Sequence, residues 1–501
     1  MALRINFNAE AAVTHTALLQ NERAMNKSLL RISTGNRILS AADDAAGLFI
    51  ADQLSVVAAA LQQGNRNIQT GISALQIAET NVGQIFDKLK TIYTKAQSAA
   101  NDINDPNARA ALQRDISNLV DAIQKLGTDT EYNGIKLLDG TFSDKVIHYG
   151  ARADQTITVG INSVKANDLG AYMVVGKFVA QSSTNGYATL TSDTGNFGFD
   201  SANDKAIVNG IDVSTGLTVV DAKTIADNIN NSKALQNAGI SARATNMSTA
   251  SAVWTDIQSG TSGSATIKFF VGTSATSAIE INIGANSTLS LSDLVTAINS
   301  KASEKGVNIS ARAENNKLVL VTQGETIGVE VGNDTGQPIN LGQFLNVSAT
   351  VANSSTGSAI QVGKLVIMGT NNYNYDFSGI SDTSEGLGIS ATGISTMKNL
   401  YSLDVTNNEN AELALDIVKT ALQRVDTIRT QIGSVINNLQ AIWDGQKASF
   451  DNTKEAENVI RNTDFAEEMS TFTTMQIRMQ AGMAMLAQAN ALPQLVLQLL
   501  R

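Results

Sequence analysis

Residues 28–54 read SLLRISTGNRILSAADDAAGLFIADQL, and they lead into a long heptad-patterned stretch that reaches Asn101. One apolar row is Leu54, Leu61, Ile68, Leu75, Val82, Leu89 and Ala96; a second, three residues on, is Val57, Gly64, Gly71, Ala78, Ile85, Ile92 and Ala99. A seven-residue repeat held for this distance makes a coiled-coil seam, because only that spacing keeps one stripe facing a partner helix. About 45 residues at 1.5 Å each give a rod of roughly 70 Å. The two glycines in the second row allow a neighbouring backbone to approach closely. A rod of this kind needs partners of similar length, and this is the pattern of an assembly protein.

Outward from the rod, residues 2–33 read as a weak amphipathic helix with Leu18, Met25, Leu29 and Ile32 on one face. Ser33-Thr34-Gly35-Asn36 breaks it, and Asp43-Asp44 lie where carboxylates favour the start of the next helix. Asp105-Pro106 caps and opens a third helix that buries Leu112, Ile116, Leu119, Ile123 and Leu126, with Gly127 as its stop. The period then changes. Asn133-Gly134 and Asp139-Gly140 signal turns, and Lys145–Tyr149 with Thr156–Ile161 read as a β-hairpin about Gly150–Asp154.

Residues 174–392 are rich in Ser, Thr, Gly and Asn with short β-branched runs, and they repeat internally. Thr224–Asn230 followed by Ile240–Ala244 returns as Leu294–Asn299 followed by Ile309–Ala313: a helix ending Ile-Asn, a turn at Gly239 or Gly306, then a strand. Two small mixed β-rich modules, about 174–275 and 276–392, are expected. From about Asn410 the heptads resume, with Ala421, Ile428, Val435 and Ile442 in one row and Val425, Ile432 and Leu439 in the other. Beyond Lys454 the stripe becomes Phe465, Met469, Phe472, Met479, Met483, Leu486 and Leu497; five of the chain's 11 methionines lie between Met469 and Met485. Methionine adapts to irregular partners, which suits packing against several copies of the same chain.

The fold class expected is therefore multidomain α + β: a terminal helical, coiled-coil stalk with a β-hairpin, and β-rich domains inserted between the N- and C-terminal helices. Residues 1–44 with 455–501 form an inner helical domain, 45–173 with 393–454 the rod, and 174–392 an outer region. The rod seam is assigned to Leu54, Leu61, Ile68, Leu75, Val82, Leu89, Ile428, Ile432, Val435, Leu439 and Ile442. Leu18, Met25, Leu29, Ile32 and the seven-residue C-terminal stripe are assigned to inner-domain assembly.

Composition excludes several classes. A net charge of −10 with no basic block argues against nucleic-acid binding. Cysteine is absent, so disulfides and thiol chemistry are too. The only histidines, His15 and His148, lie far apart, which leaves no HExxH motif; no P-loop or nucleophile elbow occurs. No enzyme, metal or cofactor is expected. The N-terminus lacks the apolar run of a cleavable signal, and no 18-residue apolar run suggests membrane insertion.

At these residues the sequence resembles bacterial flagellin, the subunit of the flagellar filament. The similarity rests on NKSLLRISTGNRILSAADDAAGLFIADQL, GNRNIQTGISALQIAE and DTEYNGIKLLDG, then VDTIRTQIGSVINNLQ, NVIRNTDFAEEMSTFTTMQI and the ending ANALPQLVLQLLR. It covers roughly residues 1–165 and 395–501, and the paired Ile-Asn modules resemble a repeat found in flagellins and hook proteins. The resemblance implies a helical homopolymer used for motility, secreted unfolded through the flagellar type III apparatus to the cell exterior. It implies an export chaperone on the C-terminal tail, and filament-cap and hook-junction proteins as further partners. A hook–filament junction protein, with similar terminal helices, is the alternative. Many family members are bound by Toll-like receptor 5 through an arginine, a leucine and a glutamate; the matching positions here are Lys90, Thr94 and Asp115, and all three departures argue against that recognition.

Overall fold

The computed structural model describes residues 8–499 other than 102, 193–196, 275, 277 and 382–385, with side chains through residue 491. Nine α-helices occur among them: α1 Ala9–Thr34, α2 Ala45–Ala99, α3 Pro106–Asp129, the short α4 Tyr187–Leu190, α5 Ala222–Asn231, α6 Lys233–Asn237, α7 Leu291–Lys305, α8 Asn408–Arg461 and α9 Phe465–Leu499. The long helices lie toward the two termini, and the middle is β-rich. By contact the chain forms two compact units: residues 1–77, 142–160 and 431–501, and residues 78–141 and 161–430. Both α2 and α8 contribute residues to each.

In the first unit, α1 starts where the Asn8 side chain accepts from the Ala11 N–H (3.1 Å) and ends at Gly35 in the left-handed conformation (φ 71°). The short link then divides its two aspartates between two tasks. Asp44 accepts from the Gly47 N–H (2.8 Å) at the start of α2, as the sequence implies. Asp43 instead closes the link itself, accepting from the Leu39 and Ser40 N–H groups (both 3.1 Å) and pairing with Lys27 of α1. The hairpin Lys145–His148 with Thr156–Val159 is antiparallel and lies across α2. It docks at the two glycines of the second row. A Cβ on Gly64 would fall 2.0 Å from the Tyr149 carbonyl oxygen, and one on Gly71 2.5 Å from Ile147 Cδ1. Asn67 donates to the His148 carbonyl (3.0 Å) and fixes the placement.

In the second unit, Asp105 caps α3 by accepting from the Ala108 N–H (2.6 Å). The helix does not stop at Gly127 as the sequence suggests. It runs on to Asp129, and the Thr130 hydroxyl donates back to the Leu126 carbonyl (2.6 Å). Gly127 serves a different end: a Cβ there would sit 3.0 Å from Lys165 Cα, so the glycine lets the following chain cross close to the helix. Ile116, Val120 and Ile123 are the buried face. Asn133 and Gly134 both take positive φ (50° and 77°), as a tight two-residue hairpin turn requires.

The middle region holds two hydrophobic cores. One is formed by residues between Val174 and Ala244 together with Ile360–Ile389 and Phe270, the other by residues between Ala250 and Ala359. The cores are nested, not consecutive, so they do not divide the chain near residue 275; it enters the second near Ala250 and returns near Ile360. Two antiparallel sheets bind them together. The six-stranded sheet has the spatial order Ser310–Glu314, Lys317–Thr322, Ile240–Thr249, Lys364–Gly369, Gly170–Val175, Thr396–Asn399. The five-stranded sheet runs Ile279–Ile283, Ala265–Val271, Ile327–Asn333, Ser355–Val362, Val179–Ser183. Each sheet takes strands from both halves of the insert, which explains why no composition shift marks a boundary.

The internal repeat has a common structural device. Asn230 donates to the Ala242 carbonyl (2.7 Å) and accepts from its N–H (2.9 Å); Asn299 does the same to Ala311 (2.8 and 2.8 Å). In each copy a helix asparagine closes a two-bond clamp on the strand that follows; Asn230 lies at the end of α5, but Asn299 lies inside α7, which runs on to Lys305, so the second helix does not end at Ile-Asn as the sequence suggests. Gly239 (φ 70°) and Gly306 (φ 65°) make the turns.

Candidate assembly surface

The terminal helices α1 and α9 pack antiparallel along their described length. Side chains of α1 and its cap reach the α9 backbone in constant register: Asn8 to the Ala489 carbonyl (2.8 Å), Asn21 to that of Met475 (2.8 Å) and Ser28 to that of Glu468 (3.4 Å). Arg31 and Glu468 form an ion pair at 3.7 Å. The breaks between helices are pinned to each other as well. The Thr463 N–H donates to the Gly35 carbonyl (2.9 Å) and the Arg37 N–H to that of Arg461 (2.7 Å). The Arg37 guanidinium also donates to Ile460 O (2.7 Å), where cationic groups suit the helix C-terminus.

This pairing covers only part of the apolar surface. Of the positions assigned to inner-domain assembly, Leu18, Met25, Ile32, Phe472, Met479 and Leu486 are half-buried, whereas Leu29, Phe465, Met469 and Met483 are exposed, each at 45–53%. Leu497 lies among the residues without described side chains. Ile477 and Met485, outside the expected stripe, are exposed too. Apolar residues thus occupy several faces of α9, and a helix apolar on many sides calls for partners on many sides.

The seam positions separate by depth. Leu61, Ile68, Leu75, Val82 and Leu89 of α2 are buried, and so are Ile428, Ile432 and Leu439 of α8; Leu54, Val435 and Ile442, nearer the ends of their rows, are half-buried. Around Leu54, α2 also carries exposed apolar side chains, Phe49 (66%) and Val56 on the face away from the seam and Ile50 and Val57 on the second row, with Val459 of α8 exposed in the same unit. The heptad rows omit Phe49 and Val56, which fall off them, and Ile50, which continues the second row one step before Val57; in both cases apolar residues seven apart were the available signal. Arg461 pairs with Asp52 at 3.5 Å. The Lys27 hydrogen bond holds the Asp43 carboxyl below its usual range.

One window of α2 reaches a mean hydropathy of 1.5 and would by length and composition suffice to cross a membrane. Only 22% of that window is buried, while the later part of the same helix, from Ile68 to Ala99, carries a row of fully buried residues and packs within the chain. Lys90, Thr94 and Asp115 are all exposed, and Asp115 pairs with Lys95 at 2.8 Å. Among the described residues no group of three or more His, Cys, Asp or Glu side chains is placed to hold a metal ion.

Comparison with known proteins agrees with this architecture. Residues 5–143 match the bacterial flagellin N-terminal helical region, residues 415–500 the bacterial flagellin C-terminal helical region, and residues 266–324 the flagellin hook IN motif. A flagellin of Aquifex pyrophilus is 56% identical and one of Aquifex aeolicus (strain VF5) 50% identical, each over 100% of both chains. The solved structure of FliC from Burkholderia pseudomallei is 14% identical over 74% of this chain and 99% of its own, with a TM-score of 0.30, too low to bear on the geometry. Paired terminal helices, the seam and full-length identity to these relatives agree: the chain belongs to the bacterial flagellin family.

Proposed function

We propose that the chain is the structural subunit of a bacterial flagellar filament, polymerising with copies of itself outside the cell to serve motility. The observation that carries this reading is the unfinished packing of α9: Phe465, Met469, Ile477, Met483 and Met485 stay exposed after α1 has docked. Full burial of such a side chain is worth roughly 1.5–3 kcal/mol; with these about half exposed, a solitary chain forgoes about half of that at each, which a polymer recovers. The exposed Phe49 and Val56 on α2 extend the same unsatisfied surface.

In this reading, residues 1–44 with 455–501 form the inner domain and 45–173 with 393–454 the rod; 174–392 make the outer region. The seam and stripe residues named above carry subunit contacts. The chain's role is structural, not catalytic. Export proceeds unfolded through the flagellar type III apparatus, with a chaperone on the C-terminal tail, and the filament meets cap and hook-junction proteins at its ends. Recognition by Toll-like receptor 5 is weak, since Lys90 and Thr94 present a point charge and a short polar group where an arginine fork and an apolar side chain are needed. Electron microscopy of purified chain added to filament fragments tests the central reading. Long helical filaments of this protein alone are expected; a short collar that stops growing would identify a junction protein, and no growth would refute both.

A further inference from the structure

The second core carries a cleft of about 1060 Å³, walled by the segment around Trp254, the loop Gln337–Pro338 and the turn holding Gln343. Its chemistry is selective. Among the described residues no lysine, arginine or histidine lines it, and its single charged group is Asp256. An anionic ligand such as a phosphate, sialoside or uronate would thus meet a carboxylate and no cation. The lining is otherwise amides, hydroxyls and apolar surface.

Several groups there are free to engage a ligand. Asp256, Gln258 and Gln337 are exposed, and among the described residues none of their side chains has a hydrogen-bond partner. Gln343, only 5% exposed, is fixed from below by donating to the Thr255 carbonyl (3.3 Å). Trp254, 6% exposed, is held in place: its backbone N–H donates to the Asn316 carbonyl (2.8 Å), its own carbonyl accepts from the Asn316 side-chain amide (3.4 Å), and its ring meets Phe344 edge-on at 5.6 Å. Pro338 and the half-exposed Val253 add apolar surface at the rim.

The geometry points to a binding site for a neutral carbohydrate. Carboxamides both donate and accept, so Gln258, Gln337 and the Asp256 carboxylate match the paired hydroxyls of a sugar ring. The apolar rim of Val253 and Pro338 matches a C–H edge of the ring, and a lone carboxylate with no cation disfavours anionic glycans. A fixed wall with a few free polar groups is the usual composition of a small-ligand site. A weak single-site affinity, on the order of 1 mM, would suffice if the site is repeated: many copies on one filament would raise the apparent affinity by 10²-fold or more. Only that gain rests on the filament reading; the site belongs to the single chain.

The chain has two tryptophans, Trp254 and Trp443, so the full-length Trp443→Phe protein reports on the cleft alone. As monomer it would be titrated with neutral tetrasaccharides of glucose, mannose and N-acetylglucosamine, and separately with sialyllactose, a tetra-uronate and an extended neutral peptide. At least one neutral sugar should shift Trp254 emission saturably below about 10 mM. Gln258→Ala and Gln337→Ala should each weaken it about three- to tenfold, while Met247→Ala, outside the cleft, should not change it. Failure of every neutral sugar overturns the proposal. So does stronger binding of the peptide or the acidic glycans, or binding indifferent to both glutamine variants.

Discussion

The glycines of α2 allow a sharp test, because three of them share a helix but not an environment. Each glycine in a helix interior costs about 1 kcal/mol relative to alanine, so Gly→Ala should stabilise wherever the new methyl finds room. At Gly83 nothing lies within 4 Å of the added carbon, and the monomer should gain up to about 1 kcal/mol. At Gly71 the methyl would lie 2.5 Å from Ile147 Cδ1, the mobile end of a side chain, which can rotate away; gain and loss should nearly cancel. At Gly64 it would lie 2.0 Å from the Tyr149 carbonyl oxygen and 2.6 Å from its carbon, and only movement of the hairpin backbone relieves that. Overpacking costs about 1–3 kcal/mol. A clash with backbone belongs near the upper end, so a net loss of about 2 kcal/mol is expected after the helical gain. The Asn67–His148 bond (3.0 Å) would stretch with it, and a two-stranded hairpin has little stability once off its support. Denaturant unfolding of the three full-length monomers should rank them Gly83→Ala, Gly71→Ala, Gly64→Ala, with amide exchange in residues 145–159 accelerated only in the last. Equal midpoints for Gly64→Ala and Gly83→Ala would refute the claim that glycine there admits the hairpin.

Other outcomes follow from the same structure. Removing α9 (residues 465–501) should leave the main unfolding transition of the monomer within a few degrees of the full chain while abolishing seeded growth; loss of that transition would make α9 part of the monomer's core. Asn230→Ala removes both bonds of its clamp on Ala242 and should cost about 1–3 kcal/mol, measured by denaturant unfolding, with Asn299→Ala behaving alike at Ala311. Because Lys27 holds the Asp43 carboxyl below its usual 3.8, the pair stabilises fully above that value and loses its effect as pH falls through the lower folded one. Wild type should therefore exceed Lys27→Met in stability at pH 6, and the difference should vanish in acid; a gap that widened on acidification would reverse the sign. Joining residue 175 to residue 393 should leave a chain that still seeds into filaments, seen by electron microscopy.

The seam was legible because periodicity is a property of the whole rod: Leu61, Ile68 and Leu75 need no knowledge of their partner to be read as buried. The repeat was legible for a related reason, since each asparagine clamps a strand only twelve residues away. What stayed hidden depends on distant chain. Gly127 looks like a helix stop, yet its role is set by Lys165, 38 residues on. Asp43 and Asp44 look equivalent, but the position of Lys27 in α1 separates them. The nested cores depend on Lys317–Thr322 pairing with Ile240–Thr249 and Ser355–Val362 with Val179–Ser183, long-range choices that local pattern does not reveal. On the assembly surface, Phe49 and Val56 were missed because they lie off both seam rows and no other part of the chain buries them among the described residues. The cleft beside Trp254 combines segments over 80 residues apart.

The central claim is that α1 and α9 are completed by neighbouring copies. Hydrogen exchange followed by mass spectrometry, on monomer and on filament, reads this directly. Residues 9–34 and 465–491 should exchange much faster in the monomer than in the filament, while the buried row of α2 from Ile68 to Ala99 is slow in both. Equal protection of α1 and α9 in the two states would mean that the chain satisfies its own terminal helices without neighbouring copies.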